Sequence, residues 1–206
     1  MISIINYNAG NLTSVKRALD YLGIKNKITT DKNEIENAER IIFPGVGHAA
    51  TALKILRERG LDSALLTAFN NDIPIMGICL GTQIILSHSD ESNTDCLNII
   101  SGNCSRFNLR DKSLSIPHMG WNAISITKKH YILKDVKDAD EFYFVHSFYP
   151  VPEDKNNIYA RCEYEIEFAA AIGRKNLFAT QFHPEKSGEA GLQILKNFSE
   201  WEPDKC

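Results

Sequence analysis

A chain of 206 residues that is 43% hydrophobic can bury a sizeable core, and no linker-like stretch divides it, so residues 1–206 are expected to form a single domain. Its 23 basic and 26 acidic side chains leave a net charge of −3 without a basic patch, which argues against nucleic acid and against an anionic membrane surface as partners. No apolar run reaches the length of a bilayer span, no basic leader precedes an apolar segment, and five scattered cysteines without a Cys-x-x-Cys pair fit a protein of the reducing cytoplasm.

Along the chain, Ile2 to Asn6 reads as a strand, after which Leu12, Val15, Leu19 and Leu22 recur at helical spacing. Further strands are predicted at Lys25 to Thr29, Arg40 to Phe43 and Ile75 to Ile78, with helices at Ala49 to Arg59 and Leu61 to Asn70 between the last two. This alternation predicts an α/β fold with an open, mostly parallel, flavodoxin-like central sheet flanked by helices. From Cys104 the pattern changes to short, closely spaced strands: Cys104 to Leu109, Asn122 to Ile126, Glu141 to His146, Ile158 to Cys162, Phe168 to Gly173 and Leu177 to Gln181. These are expected to pair antiparallel, some extending the central sheet and others forming a smaller flanking one. Gly191 to Trp201 closes the chain as an amphipathic helix, and Ser87 to Asp95 reads as a polar surface loop.

Two stretches carry candidate chemistry. Gly77-Ile78-Cys79-Leu80-Gly81 falls where a buried strand gives way to a helix, Leu80 to Ser87, as a nucleophile elbow requires. A helix N-terminus favours the anionic, reactive form of a thiol, and the backbone N–H of Leu80 is set to donate to an oxyanion. Pro44-Gly45-Val46-Gly47 follows another parallel strand at the same carboxyl edge, where ligands of open α/β sheets bind, and offers a second donor from Val46 or Gly47. Its paired glycines allow a peptide plane to turn, so that donor is expected to be switchable.

The second stretch is His183-Pro184-Glu185. If the strand from Leu177 runs on, His183 and Glu185 share a face, and a carboxylate so placed fixes the tautomer of the imidazole. The remaining histidines, His48, His88, His118, His130 and His146, lack metal-ligand spacing, so no metal is expected.

The glycine-flanked Cys79 with a late His183-Pro184-Glu185 resembles the class I, or triad, glutamine amidotransferases. Within them, Asn6-Tyr7-Asn8-Ala9-Gly10-Asn11-Leu12, Pro44 to Gly47, Pro117-His118-Met119-Gly120-Trp121-Asn122, Phe144-Val145-His146-Ser147-Phe148-Tyr149 and His183 to Gly188 resemble the glutaminase subunits of imidazole glycerol phosphate synthase, from histidine biosynthesis. The likeness spans nearly the whole chain. It implies that Cys79 attacks the side-chain amide of L-glutamine, that His183, oriented by Glu185, protonates the departing ammonia, and that water hydrolyses the thioester without a cofactor. It also implies substrate-binding roles for Gly45, Gln83, His146, Ser147 and Phe148. Asn11, Trp121 and Lys186 would face a (β/α)8-barrel cyclase that forms a heterodimer with the chain and receives ammonia through its interior.

The chain departs from the family pattern at Thr82, where methionine is common, at Cys96-Leu97-Asn98 in place of Gly-Leu-Gly, and at Glu163-Tyr164-Glu165 in place of Tyr-Gly. These departures leave open a paralogous branch whose ammonia serves amidation of a surface sugar. A stand-alone cysteine hydrolase of the γ-glutamyl hydrolase type and a non-catalytic subunit are the competing readings.

Overall fold

The computed structural model describes residues 1–8 and 10–203, so Ala9 and Cys206 lie outside the described residues. The first half comprises β1 (Ile2–Ile5), α1 (Leu12–Tyr21), β2 (Asn26–Thr29), α2 (Lys32–Glu36), β3 (Arg40–Gly45), α3 (Ala49–Arg59), α4 (Leu61–Asn70), β4 (Ile75–Cys79) and α5 (Leu80–Ile84). Strands β1 and β4 are buried at every position, as continuous apolar runs covered on both faces must be. Helix α1 starts where the Asn11 side chain accepts the Ser14 N–H, and it buries Val15, Ala18 and Leu19. Gly60, at φ 61°, separates α3 from α4 by a left-handed turn that stops one helix and starts the next.

The second half comprises β5 (His88–Ser89), β6 (Thr94–Asp95), β7 (Gly102–Arg106), β8 (His118–Ile126), β9 (Glu141–His146), β10 (Phe148–Pro152), β11 (Ile158–Tyr164), β12 (Ile166–Arg174), β13 (Leu177–Thr180) and α6 (Gly188–Glu200). Among the described residues, nine strands form one sheet in the order β2-β1-β3-β4-β13-β12-β11-β8-β9, and a smaller sheet runs β10-β7-β5-β6. The ladders from β2 to β13 are parallel, and those from β13 to β9 antiparallel. Strand β13 therefore joins the two halves. It leaves the antiparallel part and lies parallel to β4, with Thr180 opposite Ile78. The chain that follows β13 consequently emerges beside the carboxyl end of β4. Two apolar clusters pack against the central sheet, one including Val15, Leu19 and Phe198 and the other Leu53, Leu56 and Leu65.

Several segments differ from the sequence reading. Ser87 to Asp95 is not a loop throughout, because His88 pairs with Asp95 and Ser89 with Thr94 in a short hairpin of the smaller sheet. Strand β10 had no prediction, since Pro150 and Pro152 argue against a strand; it sits at a sheet edge, where a missing N–H costs no ladder bond. Helix α2 is a single turn capped by Asp31, too short to display a period. Helix α5 ends at Ile84 rather than Ser87, β7 stops at Arg106, and β8 begins at His118, so the Pro117–Asn122 motif lies largely on a strand.

The elbow explains its own glycines. A methyl on Gly81 would overlap the carbonyl oxygen of Phe43, and one on Gly77 would press on Ala179, so α5 can lie this close to β3 and β4 only without those side chains. Gly81→Ala is expected to lower unfolding free energy by about 2 kcal/mol or more, because the obstructing atom is backbone. A urea midpoint unchanged from wild type would refute this close approach.

Candidate active site

Cys79 ends β4 at φ 53° and ψ −105°, a conformation that L residues rarely adopt and that turns its side chain off the strand. The residue is 6% exposed. Its partner in the β3 ladder is Gly45, so the Pro44–Gly47 loop leaves the sheet beside the sulfur. Tyr7 lies beneath this loop. A methyl on Gly45 would overlap the Tyr7 hydroxyl, and that hydroxyl is buried without a hydrogen-bond partner. Burial, and after it the charge of Cys79, pushes the Tyr7 phenol above its ordinary range.

The strand expected to carry His183 and Glu185 on one face ends earlier, at Thr180, and Pro184–Lys186 forms a 3-10 turn. The two side chains still meet. His183 Nδ1 and Glu185 Oε1 are 2.8 Å apart, and each side chain is 1% exposed. The turn is tied down by His183 N–H to the Tyr143 carbonyl, by the Ser187 hydroxyl to the His183 carbonyl, and by Tyr143 N–H to the Ser187 hydroxyl. Nε2 of His183 is buried without an oxygen or nitrogen partner, and the Cys79 sulfur is the group close enough to act on it. Burial alone would lower the proton affinity of His183. The charge and hydrogen bond of Cys79, followed by those of Glu185, outweigh burial and raise it. Cysteine, histidine and glutamate thus form a contiguous buried set.

In front of the sulfur is a cavity of about 260 Å³ lined by Val46, Gly47, Cys79, Leu80, Gln83, Glu91, Pro117, Val145, His146, Ser147 and Phe148. That volume suits a small ligand, being under the range of roughly 300–1,000 Å³ seen for larger ones. Of the residues anticipated to bind substrate, Gln83, His146, Ser147 and Phe148 line it, whereas Gly45 is buried and does not. His146 has no nitrogen left for a ligand. Its Nδ1 bonds the Phe148 carbonyl at 2.8 Å, and its Nε2 meets His118 Nδ1 at 3.1 Å. Because a carbonyl only accepts, His146 carries its proton on Nδ1 and receives the His118 proton on Nε2. His146 therefore shapes the wall.

Glu91 escaped the sequence reading because nothing in the spacing of the Ser87–Asp95 stretch marks it. From the tip of the β5–β6 hairpin its Oε2 accepts the Ala49 N–H at 2.6 Å, at the start of α3, and the carboxylate borders the cavity. Among the three residues anticipated on a partner face, Trp121 is 53% exposed and Lys186 is exposed. Both approach the ring of Tyr143, at 6.3 Å between ring centroids for Trp121 and 5.5 Å from Nζ for Lys186. Asn11 stands at the start of α1, which packs against the Pro184–Lys186 turn.

The departures from the family pattern have local explanations. Asn98 and Glu165 both hold left-handed backbone, at φ 54° and 60°, where glycine costs least. The Glu165 carboxylate accepts the N–H groups of Arg110, at 2.8 Å, and Asp111, at 3.1 Å, which offsets that strain. Thr82 is buried and its hydroxyl donates to the Thr180 carbonyl at 2.6 Å, tying α5 to β13.

The family model for glutamine amidotransferase class-I matches residues 3–201. The chain belongs to the class I glutamine amidotransferases. Among curated relatives, imidazole glycerol phosphate synthase subunit HisH of Maridesulfovibrio salexigens is 45% identical over 206 residues, covering 98% of this chain and 97% of that protein. The subunit of the same name from Nitratidesulfovibrio vulgaris (strain DP4) is 47% identical over 203 residues, covering 96% and 95%. Among solved structures, PurLQS from Thermotoga maritima superposes with a TM-score of 0.73 at 18% identity, covering 97% of each chain. A structure described as a glutamine amidotransferase gives 0.72 at 18%, covering 96% of this chain and 99% of that one. At such identities the structural likeness speaks for the class I amidotransferase fold alone.

Burial holds the histidines of this wall neutral: it pulls His118 down to about 4 and His146 to about 3, the latter also opposed by His118 and His183. His130, packed between Phe178 and Trp201, is likewise lowered to about 4. Each would take up a proton near pH 6.5 once unfolded, but only well below that when folded. The stability that these three histidines contribute is therefore full above about pH 6.5 and drains as the pH falls toward 4, with His146 alone contributing about 1 kcal/mol per pH unit, whereas His183, raised to about 10, loses its contribution only as the pH rises above about 6.5. Urea unfolding from pH 7 to pH 5 checks this, and a constant unfolding free energy would contradict it.

Proposed function

We propose that the protein is the glutaminase subunit of imidazole glycerol phosphate synthase, acting as one domain over residues 1–206. It hydrolyses L-glutamine to glutamate and ammonia through Cys79, His183 and Glu185, and passes the ammonia to a (β/α)8-barrel cyclase bound as a heterodimer. The observation that carries the reading is the buried Glu185–His183 pair set against the sulfur of the Cys79 elbow.

In this mechanism the Cys79 thiolate attacks the carboxamide carbon of glutamine, and the negative charge moves to the carboxamide oxygen. The Leu80 N–H and a donor from Val46 or Gly47 stabilise that oxyanion. Collapse expels ammonia, with His183 supplying the proton for the leaving nitrogen while Glu185 holds Nδ1 and steadies the imidazolium. His183 then takes a proton from water as that water attacks the thioester carbon, releasing glutamate and the thiolate. The carboxylate of Glu91 suits the α-ammonium of the substrate, and Ser147, which also lines the cavity, suits its amino-acid end. Gln83 offers Oε1, since its amide hydrogens go to Phe148 and Gln181.

Ammonia set free in neutral water is mostly protonated and no longer nucleophilic, so an acceptor must collect it under cover. The names of the relatives favour a synthase acceptor over amidation of a sugar. Trp121 and Lys186, exposed on one face about Tyr143, suit the docking of the cyclase, with Asn11 at the neighbouring helix start. No helix among the described residues is long and apolar enough to cross a membrane, which fits a site of action in the cytoplasm.

Glutamate release assayed with and without the cyclase and its nucleotide ligand tests the reading. Wild type is expected to turn over slowly alone and many-fold faster in the complex, and Cys79→Ala to form no glutamate. Glu185→Gln is expected to lower kcat by about 10²-fold or more. Full turnover without the cyclase would point instead to a stand-alone hydrolase, and absence of glutamate from the wild-type complex would end the proposal.

A further inference from the structure

We propose that Gln181 is a further catalytic residue, whose side-chain NH2 donates to the Cys79 sulfur and stabilises it as the attacking thiolate. The inference rests on the glutaminase reading above and adds a group to the same site. Gln181 follows β13 and is fully buried, with 0% exposure, so its amide must be satisfied inside the protein. Its Nε2 stands 3.7 Å from the Cys79 sulfur and its Oε1 lies 3.2 Å from Gln83 Nε2.

An amide can be written either way round, so the assignment needs a reason. The surrounding hydrogen bonds supply one. The Phe148 carbonyl can only accept, and the side chain that Gln83 directs at it, at 3.0 Å, must therefore present its NH2. That same NH2 can only donate to Gln181, which must answer with its oxygen. The nitrogen of Gln181 is then the atom facing the sulfur. Beyond the Phe148 carbonyl, the Asn122 side chain is oriented by backbone, its oxygen accepting the Ala123 N–H and its NH2 donating to the Glu163 carbonyl. The NH2 of Asn122 meets His118 Nε2, leaving the proton of His118 on Nδ1 to pass to His146, which bonds Phe148 in turn. The Phe148 carbonyl thus accepts from His146 on one side and from Gln83 on the other, and it is the Gln83 bond that fixes the polarity at Gln181.

The chemistry gives such a donor its value. As a thiol, Cys79 can give its proton to the Val145 carbonyl, 3.9 Å away. Once that proton has moved to His183, the Val145 oxygen faces an anion and offers nothing, whereas an N–H donor gains strength against a charged acceptor. Gln181 therefore favours the thiolate over the thiol, both as nucleophile and as the group expelled when the thioester is hydrolysed.

Alkylation of Cys79 by iodoacetamide, in which the thiolate sulfur bonds the methylene carbon and iodide leaves, reads this without any glutamine. Burial pushes the thiols of Cys96, Cys104 and Cys162 up, and mass spectrometry of the Cys79 peptide reads its rate apart from theirs and from that of Cys206. In Gln181→Met, which keeps the bulk and removes the donor, the alkylation rate at pH 7 is expected to fall about ten-fold and the whole pH profile to move up by about one unit. Gln181→Glu, which adds a negative charge, is expected to move it further. A Gln181→Met profile superimposed on wild type, with melting temperature retained, would overturn the proposal. If that variant fails to fold, Gln181→Asn, whose amide is withdrawn by one methylene, decides by the same criterion. Failure of the glutaminase reading is distinct, because it would appear as missing glutamate in wild type while the alkylation shift persisted.

Discussion

Thr180 lies opposite Ile78 in the parallel ladder between β13 and β4, and the geometry of the site depends on that register. The cysteine sits one residue past Ile78, on a turn that belongs to the parallel half of the sheet. The histidine, its carboxylate and the buried glutamine all follow Thr180, from a strand whose other neighbour is antiparallel. A slip of one residue would reverse the faces of every side chain in β13, and because Leu177 to Thr180 are all buried each of them would have to repack. The ladder is reinforced where it matters. The Thr82 hydroxyl reaches the Thr180 carbonyl from the helix that follows Cys79, locking the elbow to the strand that delivers His183.

Around this ladder the site is built from polar groups taken out of water, an arrangement that is costly unless each group is answered. Most are. Gln83, Gln181, His146, His118 and Asn122 exchange hydrogen bonds in a chain anchored on the Phe148 and Glu163 carbonyls. At the reaction centre the Glu185 Oε2 and the Tyr7 hydroxyl are buried without partners and His183 Nε2 meets only the Cys79 sulfur, while elsewhere the side-chain oxygens of Asn26, Asn103 and Asn176 are also buried without partners. Unanswered groups at this location are consistent with an environment made for a reacting molecule rather than for its own stability.

Much of this was legible in the amino-acid sequence. Helices α3 and α4 have the predicted bounds because long periodic segments between clear stops leave little freedom, and the elbow was readable because only glycines permit that turn. Less was legible where a contact is made across the fold. Glu91 reaches the cavity from a hairpin only two residues wide in each strand, and its polarity gave no sign of pairing. Gln181 lies 102 residues from the cysteine whose sulfur it touches. His183 and Glu185 meet as expected but by a different route, through a 3-10 turn begun by Pro184, whose fixed φ suits the first position of such a turn.

Tyr143 links the exposed face to the buried chemistry. Its ring contacts both Trp121 and Lys186, the residues that suit a docked subunit, while its backbone carbonyl and N–H hold the His183 turn through His183 and Ser187. A partner seated on that face would rest on the one residue of β9 that fixes the imidazole. Trp121 also neighbours Asn122, where the hydrogen-bond chain toward the sulfur begins. Two physical connections therefore run from the same patch to the two ends of the reacting pair, one by backbone to His183 and one by side chains and the Phe148 carbonyl to Cys79. Neither needs a moving loop, since both consist of groups already in contact.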